Sequence, residues 1–425
     1  MKLELPRGMR DRPPEEMLAL QQVKDLLKGI FELYGYAPLE TPIIERFDVL
    51  ASKYTGGDEI LNETFKLTDQ GGRELGLRYD LTVPFARFVG MNPAMKMPFK
   101  RYHIGTVYRD GPIKLGRTRE FYQCDVDVVG TKSMMADAEM VLIALRIMDT
   151  LKINATVKVN NRKLLDAIIV ASGIPKEKAE QTILSIDKLE KISRKGVLDE
   201  LKQKGVDAKA AGKVLDVVNV TGDNHARLNA VRTLVKECEG LDEVEQLLRL
   251  LADQRVVFEP SLARGLSYYT GTVFELWPQT DKVSCSLAGG GRYDQMIGSL
   301  LGHGDFPAVG ISFGLEPISI LLASQKKRTP TQIYIIPVSK DDDLIRHAVQ
   351  TAELLRADGI RAEIDLAGKS VSKNLQYASA KGIPFVLFIG PDELEVGKFK
   401  LRDMESGKED LLSMEAVIRG FTDRE

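Results

Sequence analysis

Between Leu262 and Leu276 the chain reads Leu-Ala-Arg-Gly-Leu-Ser-Tyr-Tyr-Thr-Gly-Thr-Val-Phe-Glu-Leu, a glycine-bounded turn entering an apolar strand. Arg264 cannot lose its charge, and Tyr268 and Tyr269 add aromatic faces with hydroxyl handles. Gly265 and Gly271 let the backbone approach a ligand closely. The same letters also describe a buried tyrosine pair beside a surface arginine. A second group of candidates lies upstream. In Glu120 to Val129 the alternation sends Tyr122, Cys124, Val126 and Val128 to one face and Gln123, Asp125 and Asp127 to the other, so one face is core and one polar. The preceding run, Arg101 to Arg109, also reads as a strand. Between the two, Asp110 to Arg119 is too long for a tight turn and holds Lys114, Arg117 and Arg119. A long cationic loop between strands is suited to gripping an anion.

Other chemistries find less support. His103, His225, His303 and His347 show no metal-ligand spacing, and Cys124, Cys238 and Cys285 lie too far apart for a zinc knuckle or a disulfide framework. A reducing, cytoplasmic setting fits these cysteines. His103-Ile-Gly-Thr lacks a second histidine and lies within a strand, which excludes a nucleotide-binding signature that opens a helix. Gly289-Gly-Gly-Arg-Tyr-Asp294 is neither a P-loop nor a dinucleotide fingerprint and signals only close backbone approach.

The elements that position these residues follow from spacing. With 425 residues, 44% hydrophobic and 28% charged, two or three soluble domains are expected. A net charge of -2 confines any nucleic-acid contact to local patches. No run approaches the roughly 20 apolar residues of a membrane span. Met17, Leu20, Val23, Leu27, Ile30, Phe31 and Tyr34 recur at helical spacing until Gly35, and an extended, proline-bearing segment from Tyr36 to Glu45 belongs at a sheet edge or interface. Thr64 to Tyr79 reads as a hairpin whose second strand delivers Arg78, Asp80 and Thr82. A helix from Ser133 to Leu151 and a short strand from Thr156 to Val159 precede a helix-rich stretch, where Lys188, Lys191, Arg194, Lys195, Lys202 and Lys204 read as a solvated face. Strands resume at Val256 and continue to Gly314. After a charged hinge, Ile333 to Ile389 alternates strand and helix as a small α/β domain.

Taken together these segments resemble class II aminoacyl-tRNA synthetases, and among them the histidyl-tRNA synthetase family, over essentially the whole chain. Pro6-Arg-Gly-Met-Arg-Asp11 is similar to the family's opening. Tyr36 to Glu45 resembles the class's first motif, Tyr108 to Asp127 the second and Ala308 to Glu316 the third. Leu262 to Gly271 is similar to the histidine-specific signature, and Gly289 to Asp294 to the glycine-rich element after it.

The resemblance implies an α+β catalytic domain built on a mainly antiparallel sheet flanked by helices, with a helical insertion and a C-terminal α/β anticodon-binding domain. The expected boundaries are 1–160 and 254–324 for the catalytic domain, 161–253 for the insertion, 325–330 for the hinge and 331–425 for the terminal domain. It implies histidine activation by ATP with Mg2+, transfer to the cognate histidine tRNA, and a homodimer built around the first motif. On the histidine side it places Asp80, Leu81 and Thr82, with Asp80, Thr82 and Gln123 holding the α-amino group. Asp127 and Tyr269 would read the imidazole, with Tyr268 beside them. Arg109 and Arg264 would contact the α-phosphate from opposite sides, next to the bound histidine, and Arg117 the far phosphates. Gly310, Gly314 and Glu316 would border the rest of ATP.

Two positions depart from the pattern. Pro317 stands where the third motif usually ends in an arginine over the adenine, and Asp110 stands one position earlier than the second motif's usual acid. Two alternatives are a non-catalytic paralogue, such as the regulatory subunit of ATP phosphoribosyltransferase, and a class II synthetase for another amino acid. Such paralogues usually lack the terminal α/β domain and a complete histidine signature, and the run from Arg264 to Gly271 with Asp127 opposes another amino acid.

Overall fold

The computed structural model describes residues 2–52, 59–113, 118–264, 268–322 and 328–422. They form two compact units, Met1–Arg10 with Gln22–Leu322, and Asp11–Gln21 with Ala323–Glu425.

In the first unit the strands are β1 (Ala37–Pro38), β2 (Ile44–Arg46), β3 (Lys66–Thr68), β4 (Glu74–Leu77), β5 (Phe99–Tyr108) and β6 (Glu120–Val129), followed by β7 (Ala155–Asn161), β8 (Val256–Phe258), β9 (Thr272–Pro278), β10 (Ala288–Arg292) and β11 (Ala308–Gly314). Eight of them make one sheet in the order β1-β5-β6-β11-β10-β9-β7-β8, and β2-β4-β3 make a small second sheet. Only the β1–β5 and β7–β8 pairs at the two edges of the large sheet are parallel. The central ladder is antiparallel throughout. Because β6 and β10 sit on either side of β11, residues far apart in sequence are brought onto one face.

One face of the sheet is covered by helix. Leu27 and Phe31 of the helix Pro14–Leu33 are fully buried, and the Phe31 ring lies 5.6 Å from Tyr102 and 6.0 Å from Phe313. Each such burial contributes roughly 1.5–3 kcal/mol. The helix Met134–Leu151 starts at Ser133, whose side chain accepts from Met135 N and so caps it. On the other face the helix Thr82–Met91 presents Val83, Phe85, Ala86 and Val89 to the core.

Asn161 ends β7 and caps the helix Arg162–Ala171, its side chain accepting from Lys163 N at 2.9 Å. From there to Leu251 helices are the regular elements among the described residues, with an apolar core that includes Leu164, Ile168, Ile183, Leu201, Val214 and Leu215.

In the second unit β12 (Ile333–Pro337), β13 (Ala362–Ile364) and β14 (Phe385–Ile389) are parallel neighbours. Two antiparallel strands, β15 (Phe399–Asp403) and β16 (Glu409–Leu412), extend the sheet beyond the part legible in the sequence. The order is β13-β12-β14-β15-β16. Among the described residues, no helix is long and apolar enough to cross a membrane.

Candidate active site

A cavity of about 550 Å³ opens over the β5-β6-β11-β10 face. Asp80, Thr82, Arg109, Gln123, Arg264, Tyr268, Tyr269, Gly314 and Glu316 all line it, as does Pro317. Leu81, Asp127 and Gly310 are not among its lining residues, and Arg117 lies outside the described residues.

Each lining group has a local reason for its place. Asp80 Oδ1 accepts from Val83 N at 3.0 Å, so the carboxylate caps the helix that Thr82 opens. Leu81 between them is fully buried. Arg109 leaves β5 with Nε donating to Tyr79 O at 3.0 Å and its guanidinium 5.2 Å from the Phe121 ring centroid. The displaced acid of the second motif also has a role: Asp110 pairs with Arg119 at 2.7 Å across the loop base, where Arg109 N donates to Arg119 O. Gln123 donates from Nε2 to Ser312 Oγ at 3.3 Å, while its buried Oε1 has no hydrogen-bond partner.

Arg264 donates from Nη1 to Phe274 O at 3.3 Å and lies 3.5 Å from Glu275 Oε1. It crosses the glycine strand at Gly289, where a Cβ would stand 1.4 Å from Arg264 Nη1, so a side chain there would displace the guanidinium from this position. The Tyr268 and Tyr269 rings are 4.5 Å apart, with Tyr268 Oη donating to Tyr269 Oη at 3.4 Å. The tyrosines thus pack together and also face the cavity, so the two readings of that run are compatible.

The polar face of β6 differs from its expected setting. Asp125 and Asp127 are 3% and 4% exposed, because the sheet is covered on this side as well. Asp127 Oδ1 accepts from Tyr293 Oη at 2.5 Å and Oδ2 pairs with Arg101 at 2.9 Å. Burial and the Asp127 charge push the Tyr293 phenol well above its ordinary range, so it remains a donor. Asp125 is pushed up to about 7, chiefly by burial, with Arg101 opposing and Asp127 adding. Its cross-strand partner His103 is pushed down to about 3 by burial and by the Arg101 and Arg78 charges, and stays neutral.

Gly310 serves this buried layer and not the cavity. A Cβ there would lie 1.9 Å from Asp127 Oδ1, so only a glycine leaves room for the carboxylate. Pro317 is the third residue of the helix Leu315–Leu321 and lines the cavity, and Glu316 Oε1 accepts from Tyr122 N at 3.2 Å.

Two residues of this constellation were missed from sequence. Tyr293 lies inside Gly289 to Asp294, a run that signals close backbone approach and resembles the glycine-rich element after the histidine signature but gives the tyrosine no role of its own, and Arg101 reads only as the start of a strand. For Arg101 the signal is a polar residue set opposite an acid in register, which becomes visible only once strand pairing is known, whereas Tyr293 lies beyond the end of β10 and reaches Asp127 through its hydroxyl.

Comparison with known proteins gives the family. Residues 8–318 match a family model described as histidyl-tRNA synthetase, and residues 332–424 match one described as an anticodon binding domain. A Bacillus cereus protein named histidine--tRNA ligase 1 is 39% identical over 436 residues, covering 99% of each chain. The crystal structure of histidyl-tRNA synthetase from a Nostoc species superposes with a TM-score of 0.88 at 29% identity, covering 100% of both chains. A Bacillus halodurans structure described as an ATP phosphoribosyltransferase regulatory subunit/histidyl-tRNA synthetase shares the fold, with a TM-score of 0.77 at 23% identity over 92% of this chain and 99% of its own. With the family model spanning most of its length and both sequence and structural relatives covering it end to end, the chain belongs to the histidyl-tRNA synthetase family.

Proposed function

We propose that the protein is a histidine–tRNA ligase: it joins histidine to ATP as histidyl-adenylate, releasing pyrophosphate, and then passes the histidyl group to the 3′-terminal ribose of its tRNA. The observation that carries this reading is the convergence of Arg109 and Arg264 in one cavity with Gln123, Asp80 and the tyrosine pair. Attack of the histidine carboxylate on the α-phosphate builds negative charge on its oxygens, and two fixed guanidiniums stabilise that charge without changing protonation. No covalent nucleophile is required; the chemistry is positioning plus electrostatics.

The amino-acid end is read in the same terms. Asp80, Thr82 and the unpartnered Gln123 Oε1 would accept from the α-ammonium. Asp127 would accept an imidazole N–H from beneath while Tyr269 serves the other ring nitrogen, with Tyr268 and Tyr293 closing the floor. A carboxylate accepts from about four directions, so its bonds to Tyr293 and Arg101 do not exclude the ligand. An amino acid without matching ring nitrogens would leave these buried groups unpaired, which discriminates strongly without an editing step.

Gly314, Glu316 and Pro317 would border the adenosine end, with Arg117 reaching the outer phosphates and magnesium entering with ATP as counter-ion. Residues 331–425 would hold the anticodon stem and 161–253 the acceptor arm. A homodimer around residues 36–45, where Ile43 and Ile44 are exposed, and a cytoplasmic location complete the reading. Pyrophosphate exchange assayed with each of the twenty amino acids tests it: exchange is expected with histidine, and its absence with histidine would overturn the assignment.

A further inference from the structure

Among the described residues Arg101 is the largest fully buried side chain. Its Nη2 pairs with Asp127 and also lies 3.3 Å from Leu81 O, its guanidinium lies 4.2 Å from the Phe85 ring centroid, and its Nε and Nη1 have no hydrogen-bond partner. Burying a cation with two nitrogens unsatisfied is costly, and a hydrocarbon of similar volume would serve stability better. Its place in the register is more informative. Arg101 stands directly opposite Asp127 on the neighbouring strand, Tyr293 holds the other carboxylate oxygen, and Gly310 leaves the space the carboxylate fills. Tyr293 in turn meets Tyr268 edge-on at 6.0 Å, which links the buried layer to the cavity wall.

We propose that Arg101 is the positioning residue of the amino-acid pocket, holding Asp127 as a carboxylate, fixed in direction, so that the site selects a side chain with a ring N–H. This rests on the reading that Asp127 receives the imidazole of histidine. The neighbouring Asp125 supports the assignment, because a carboxyl held largely protonated below about pH 7 leaves the Arg101 charge to Asp127. Without Arg101, Asp127 would take up a proton in an apolar site and turn from acceptor to donor. The charged and titratable groups around it are Arg101 and His103 from β5, Asp125 from its own strand, Tyr293, Asp80 and Tyr36. Arg78 carries the other positive charge of this layer and acts on His103 and Asp125, but its Nε and Nη1 donate to the Thr106 and Thr41 carbonyls, while Arg101 makes the salt bridge to Asp127.

The test uses the full-length protein in pyrophosphate exchange, with the variants D127N, R101Q, R101K and R101Q/D127N. D127N and R101Q are each expected to raise the histidine KM about tenfold or more while the ATP KM stays within about twofold. The R101Q defect relative to wild type should shrink as pH rises and Asp127 ionises, and R101K should restore most of the histidine KM and remove that pH dependence. A purely structural arginine would not produce this pattern. The double variant should be no worse than D127N, because Arg101 acts through Asp127. If D127N leaves the histidine KM unchanged, the reading of Asp127 fails and the proposal with it. If D127N raises it while a folded R101Q matches wild type, the role of Arg101 alone is overturned. R101Q strands a buried carboxylate, so should it not fold, D127N against the double variant decides, and a further rise in the double refutes the proposal.

Discussion

The cross-strand pair His103 and Asp125 offers a prediction whose sign and size follow from burial. His103, with an ordinary value of 6.5, is held down to about 3, and Asp125, with an ordinary value of 3.8, is held up to about 7. For His103 the depressed value means that its contribution to stability is present above 6.5 and is lost as pH falls toward 3. For Asp125 the raised value means that its contribution is present below 3.8 and is lost as pH rises through 7. Between about pH 4 and 6.5 the unfolded chain carries one proton on the pair, on His103, and the folded chain also carries one, on Asp125. The two slopes therefore cancel. Replacing Asp125 with Asn removes one side of the balance, and stability relative to wild type should rise by about 1.4 kcal/mol per pH unit, or roughly 3 kcal/mol from about pH 4.5 to 6.5. His103→Asn should give the opposite slope of equal size. Neither group is a cause of the other's shift, so each variant leaves the remaining shift in place. Urea unfolding at several pH values, followed by the fluorescence of Trp277, the single tryptophan, reads the first unit alone. A D125N profile parallel to wild type would refute the argument and would mean that Asp125 is ionised in the fold.

Three further outcomes are expected. Arg264→Ala should lower the rate of pyrophosphate exchange about 10²–10³-fold with little change in histidine KM, and an unchanged rate would remove Arg264 from the chemistry. Pro317→Arg places a cation at the cavity wall and should lower the ATP KM roughly twofold to thirtyfold if it stacks on adenine; an unaltered ATP KM would show that the base does not lie there. Gly310→Ala forces a Cβ against Asp127 and should cost about 1–3 kcal/mol of stability while raising histidine KM, so an unchanged urea midpoint and KM together would contradict the packing described for that carboxylate.

Local pattern carried much of this architecture. The helix Pro14–Leu33 and the paired strands on either side of the cationic loop are periodicities of 3.6 and 2, which depend on neighbours in sequence. What alternation could not reveal was the surroundings of the polar face of β6. Asp125 and Asp127 look solvated as letters, yet their burial is decided by the helix Thr82–Met91 and by strands that come some 180 residues later. The meaning of Arg101 likewise lies in pairing across the sheet, and that of Tyr293, just beyond β10, in a side-chain contact with Asp127. The glycines of the third motif were read as one group, whereas Gly314 reaches the cavity and Gly310 accommodates Asp127. In the second unit β15 and β16 are hard to read from sequence because Phe399–Asp403 and Glu409–Leu412 are short and rich in charge.

The bare strand β10 has an evolutionary consequence. The three atoms nearest to a Cβ on Gly289 all belong to the Arg264 guanidinium, so the tightest constraint on this position comes from that arginine. In a lineage that abandoned adenylate chemistry and lost the arginine, drift at this glycine would become less constrained. Larger residues should accumulate there, while Gly290, whose Cβ would stand 2.0 Å from the carbonyl oxygen of Gly310, stays fixed by the backbone. The ratio of decay at these two adjacent codons would then date the loss of catalysis separately from any loss of fold.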